Sequence, residues 1–142
     1  MCFTELTKKA LVISFNAHKE QIDKSGMPYV YHPYRIAEQM EDEYTTCVAL
    51  LHDVIEDTDI TIDVLRNEDF PQEVLDAVAL MTHDDDTPYF DYIKRIKTNP
   101  IATAVKLADL QDNSNYERLD KVDIKDLQRL EKYREAKRML SE

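Results

Sequence analysis

The sequence predicts an all-α fold, and three observations carry that expectation. The chain has one glycine, Gly26, among 142 residues, whereas hairpins and tight β turns draw on glycine heavily. Apolar residues recur at helical spacing along nearly its whole length. Helix-start signals, a capping residue followed by proline or by an apolar run, punctuate it. With 43% apolar and 33% charged residues, a chain of this size can bury one core. The expectation is a single compact helical bundle over residues 1–142.

Taken in order, Leu6, Ala10, Ile13 and Ala17 fall on one face of a first helix. Ile36, Ala37 and Met40 mark a second, opened by Pro33 at a first-turn position, with His32 just before it. From Tyr44 to Ile55 the chain is almost continuously apolar. Its length favours a buried central helix, although its β-branched residues leave a strand open. Thr61 caps a short helix ending near Asn67. Pro71 begins the next, with Val74, Leu75 and Val78 inward. Thr87-Pro88 and Asn99-Pro100 are cap-plus-proline starts for helices near 88–97 and 100–113. Asp123 caps a last helix with Ile124, Leu127, Leu130 and Leu140 as its apolar residues. The acidic loop at 82–86 reads as solvated.

Composition also excludes partners. A net charge of −11 disfavours a nucleic-acid polymer, whose backbone needs a basic face, yet admits a small anion held by a metal and a few local cations. No apolar run is long enough to span a bilayer, and the N-terminus lacks the pattern of a signal peptide. Cys2 and Cys47 make no disulfide framework, and Cys47 reads as a small core residue. A reducing cytoplasm is the expected location.

The chemistry concentrates in LLHDVIEDTD at 50–59. On a continuous helix His52 and Glu56 are neighbours on one face, as are Asp53 and Asp57. No lysine or arginine lies between Arg35 and Arg66. Carboxylates this close repel, burial makes the repulsion worse, and a divalent cation reverses the sign of the site. Histidine with aspartate suits Mn, Fe, Zn or a similar transition metal better than Ca. The competing account is that acids gather at helix ends for solvation. His32 beside a proline is by itself an ordinary structural residue, and Asp109 by itself an ordinary surface acid. Together His32, the His52-Asp53 pair and Asp109 supply four donors from three helices and leave coordination positions open for water and substrate. Lys106 and Arg118 read as surface or helix-pairing residues.

Three segments, KSGMPYVYHP at 24–33, ALLHDVIEDTDIT at 49–61 and VKLADLQDN at 105–113, resemble the HD superfamily, and more closely the hydrolase domain of RelA/SpoT-type alarmone enzymes and their small stand-alone relatives. The resemblance runs from about residue 5 to residue 119. It implies a bundle of α-helices with His32, His52, Asp53 and Asp109 as metal ligands, usually of Mn. It implies that Glu56 and Asp57 position or activate the hydrolytic water. Lys24 and Ser25 match nucleotide-contacting positions, and Asn113 an asparagine near the ribose. Gly26 matches a loop glycine whose backbone needs unusual dihedrals.

The implied activity is removal of the 3′-pyrophosphate from (p)ppGpp, a small anionic nucleotide. The alternatives are hydrolysis of another nucleotide or phosphorylated metabolite by the same site, and a nucleotide-binding module without turnover. Three positions depart from the family's pattern. Asp23 stands where the family has an arginine that packs on guanine, so Asp23 is expected to weaken guanine binding. Leu110 stands where a basic residue often follows the last ligand. Residues 58–104 are a short connection beside that of the long enzymes. With one further helix after Asp109, alarmone synthesis is not expected of this chain.

Overall fold

The computed structural model describes residues 1–116 and 119–142. Among these the helices are α1 (Glu5–His18), α2 (Tyr31–Glu38), α3 (Glu43–Leu51), α4 (Val54–Asp57), α5 (Ile62–Asn67), α6 (Gln72–Met81), α7 (Tyr89–Lys97), α8 (Pro100–Asn113) and α9 (Ile124–Ser141). The described residues contain no strand; an isolated antiparallel bridge pairs Ile22 with Pro28. No described helix is long and apolar enough to cross a membrane. Arg118 lies outside the described residues.

Helix α3 is the hub, packed against α1, α2, α6 and α8. The Asp42 carboxylate starts it by accepting from Thr45 N at 2.8 Å. Every residue from Thr45 to Leu51 is buried, so this helix needs no polar face. The expected unbroken helix through Ile55 does not form: His52 and Asp53 lie in a turn before α4 begins. The His52 ring supplies a reason. Its Nδ1 lies 2.6 Å from Ala49 O, the carbonyl that a continuing helix would offer to Asp53 N–H. The ring therefore competes for the acceptor that would carry the helix onward.

Other boundaries also differ. His32 is the second residue of α2 and Pro33 the third, while Met40 lies past its end yet is buried. The inner face of α1 is Thr7, Ala10, Ser14 and His18; Leu6, Ile13 and Ala17 pack half-buried against the core. Pro88, with extended backbone, takes the cap position of α7 in place of Thr87 and makes no side-chain cap. Thr61 and Asn99 cap α5 and α8 as expected.

Asp123 caps α9 through a reciprocal bond pattern with Asp126. The buried face of that helix is Asp126, Ala136 and Leu140, whereas Ile124 and Leu127 are exposed. Asp126 faces inward, where it pairs with Lys24 from outside the helix, and Ile124 and Leu127 face out. Cys47 is buried in the core. Gly26 has φ +84° with open space around it, so its positive φ, rather than crowding, favours glycine there.

Candidate metal centre and adjoining cleft

Three helix ends bring His32, His52, Asp53 and Asp109 together. One potential ligand atom from each lies within 4.8 Å of the other three. His32 comes from the first turn of α2, His52 and Asp53 from the break after α3, and Asp109 from one turn before the end of α8. The break matters for the geometry. It lets two adjacent residues point into one site, which a straight helix would turn about 100° apart.

Both imidazoles have their outer nitrogens committed. His52 Nδ1 donates to Ala49 O at 2.6 Å. His32 Nδ1 donates to Asp112 Oδ2 at 2.6 Å, and Asp112 is held well below the usual carboxylate range because Arg35 and His32 outweigh its burial. Each ring therefore directs Nε2 at the quartet. His32 Nε2 is 2.8 Å from Asp109 Oδ1. His52 Nε2 is 3.0 Å from Asp53 Oδ2, yet it is buried and lacks hydrogen-bond geometry to any partner among the described residues. A buried nitrogen without a partner, ringed by carboxylates, is a strong fit to a bound cation.

The electrostatics agree. Burial lowers both imidazole pKa values, but the facing carboxylates raise them more, so both end above the ordinary range. Burial would raise Asp53, but His52 and His32 pull it down to about 2. Asp109 sits well below its usual range because Lys106, His32 and His52 overcome its burial. The residues present thus fit a divalent cation.

Glu56 and Asp57, on α4, stand beside this quartet and outside it. Both carboxyls are raised, chiefly by burial and further by Asp53. Glu56 Oε1 accepts from His83 N, which ties α4 to the otherwise solvated acidic loop at 82–86.

The expected substrate contacts line an open cleft of about 330 Å³ that also contains His32. Lys24 is ion-paired with Asp126 of α9. Ser25 Oγ donates to Asp23 Oδ1 at 2.7 Å. Asn113 Nδ2 donates to Asp109 Oδ1 at 3.2 Å, placing this side chain against the quartet. Asp23 itself turns into its own loop, where Oδ1 also accepts from Ser25 N at 2.9 Å and Met27 N at 3.0 Å.

Sequence reasoning missed several members of the site. Lys106, read as a surface or helix-pairing residue, has a largely covered side chain and donates to Asp109 Oδ2 at 2.8 Å. Its spacing of three from Asp109 on one helix was the available signal. Tyr29 OH donates to Asp53 Oδ2. Arg35 and Asp112 were missed because they meet across α2 and α8, a pairing that no local pattern displays.

No family model matches the chain. A probable GTP pyrophosphokinase of Mycobacterium leprae is 31% identical over 121 residues, 76% of this chain. A guanosine-3′,5′-bis(diphosphate) 3′-pyrophosphohydrolase of Aquifex aeolicus is 31% identical over 121 residues, 77% of this chain. The chain spans 15% and 17% of the lengths of these two relatives. Among solved structures, one described as a metazoan ortholog of SpoT that hydrolyzes ppGpp matches with a TM-score of 0.77 and 21% identity, over 99% of this chain and 87% of that one. That likeness establishes the fold. Aligned sequence and fold together identify the chain as an HD-type hydrolase-like domain related to those of the RelA/SpoT-type alarmone enzymes.

Proposed function

We propose that residues 1–142 form a single metal-dependent phosphohydrolase domain that removes the 3′-pyrophosphate from a (p)ppGpp-type guanosine nucleotide. The observation that carries this reading is the convergence of His32, His52, Asp53 and Asp109, with both Nε2 atoms directed inward and two raised carboxyls alongside. The name of the Aquifex aeolicus relative supplies the reaction. Mn is the ion we assign, with Fe, Zn or another transition metal as substitutes.

A cation on these four residues would polarise a phosphoryl oxygen and acidify nearby water. The remaining work falls to the chain. Asp112 and Ala49 O hold the imidazoles in one tautomer, and Tyr29 and Lys106 orient the two carboxylates. Glu56, with Oε1 occupied by His83 N, holds or releases a proton at Oε2. Asp57 aims the attacking water. Their raised pKa values bring both carboxyls nearer to neutrality, where acid–base exchange is most effective. Asn113 sits where a ribose would lie beside the quartet.

A second reading rests on Asp23. Its carboxylate fastens the loop rather than offering a cation to a base, which favours another nucleotide or phosphorylated metabolite on the same machinery. The deciding experiment incubates Mn-loaded protein with ppGpp and a nucleotide panel, measuring pyrophosphate and orthophosphate separately. Pyrophosphate from ppGpp supports the proposed reaction. Orthophosphate from another substrate supports the second reading. Binding with neither product means a nucleotide-binding module and refutes catalysis.

A further inference from the structure

Arg35 follows His32 by three residues on α2, so the two side chains leave the same face of one helix. Its guanidinium meets Asp112 side-on, Nε to Oδ1 at 2.8 Å and Nη2 to Oδ2 at 2.8 Å. The same Oδ2 accepts from His32 Nδ1 at 2.6 Å. One carboxylate therefore joins an arginine to an imidazole of the quartet. Arg35 Nη1 makes no hydrogen bond among the described residues, and the side chain, 29% exposed, lines the cleft beside His32.

The rest of the cleft gives this free edge its meaning. The chain is acidic, at −11, and Asp23 and Asp112 both line the cleft. An anionic group entering there meets carboxylates unless a fixed cation stands among them. Lys24 is tied to Asp126 on α9. Arg35 is always charged, planar and already braced along one edge, which leaves its other edge shaped for a pair of phosphate oxygens.

Resting on the phosphohydrolase reading above, we propose that Arg35 binds a phosphate group of the substrate next to the one held at the quartet, and that Asp112 positions Arg35 and His32 together. The ligand class is a diphosphate-bearing nucleotide, because a single phosphate at the quartet would leave Arg35 unused. A neutral base would gain less from a cation at this point than an anion does.

The test titrates inorganic pyrophosphate into metal-loaded protein after free metal is removed, with calorimetry as the readout. R35Q should raise the Kd about tenfold or more, the scale of a hydrogen bond to a charged group. R35K, which keeps the charge and loses the fork, should raise it less. Metal content should hold in both variants. D112N should weaken metal retention as well as pyrophosphate binding, a split that separates positioning from contact. If R35Q sheds metal, R35K decides by the same comparison. Unchanged pyrophosphate affinity in R35K and R35Q overturns the proposal, as does a wild type that binds no pyrophosphate. Failure of wild type to hydrolyse ppGpp, with pyrophosphate binding still dependent on Arg35, refutes the substrate reading and leaves Arg35's role standing.

Discussion

The quartet and the loop at 23–28, joined by a cleft that His32 lines, solve opposite problems. The quartet is buried, and its groups satisfy one another only when positive charge is supplied. The loop is largely exposed, and much of its bonding is local: Asp23 Oδ1 takes two backbone N–H groups and the Ser25 hydroxyl, while Lys24 reaches Asp126 of α9. One region is poised for an added ion; the other is complete without a ligand. On the proposed function, chemistry falls to the buried part of the molecule and substrate choice to the exposed loop, where change is better tolerated.

The sharpest way to break the contrast is Asp109→Ala. It leaves the largely covered Lys106 without its carboxylate, and loss of one partner of a buried pair costs roughly 3–5 kcal/mol. Urea unfolding of metal-free protein measures this, and the metal should fail to bind at any accessible concentration. Glu56→Gln and Asp57→Asn test the quartet's neighbours. Each should lower turnover about a hundredfold or more, the scale of lost acid–base catalysis, while metal content and melting temperature stay near wild type. Near-normal turnover in both would reduce them to solvated helix-end acids, and lost metal would make them ligands or supports.

Chelation is the next largest effect. Metal at about a hundred times its Kd should stabilise the native state by about 2.7 kcal/mol, and Asp53→Ala should abolish that difference between metal and chelator in thermal melts. On the loop side the expected effects are small. From charge alone, Asp23→Arg is expected to tighten guanine binding; the bonds Asp23 makes within its loop argue for the opposite outcome. The substitution removes an acceptor of three bonds within one exposed loop, which loosens the loop locally rather than the core, so KM for ppGpp should rise and global melting should move little. A lower KM would show that an arginine reaches the base without the loop's own fastening.

These differences track what a sequence can display. The helical class was legible because Gly26 stands alone and the apolar spacing is regular. Thr61, Asn99 and Asp123 were legible as caps because capping is local. The quartet was legible only when His32, the His52-Asp53 pair and Asp109 were taken together, through the resemblance of their three segments to one family. The break after Leu51 was not, since it depends on an imidazole competing for Ala49 O. The outward turn of Ile124 and Leu127 was hidden for a similar reason: Asp126 is held inside by Lys24, 102 positions away. Arg35 with Asp112, 77 positions apart, shows the same limit. Partners across helices leave no periodic trace.

The two imidazoles differ in one more respect. His52 takes its orientation from the main-chain oxygen of Ala49, and no substitution at residue 49 can delete a carbonyl. His32 takes its orientation from the side chain of Asp112, which one codon change removes. A substitution at residue 49 therefore leaves the first imidazole oriented, whereas one at residue 112 releases the second. Residue 112 is thus a dial on the basicity of His32 as a metal ligand that leaves the His-Asp pair untouched.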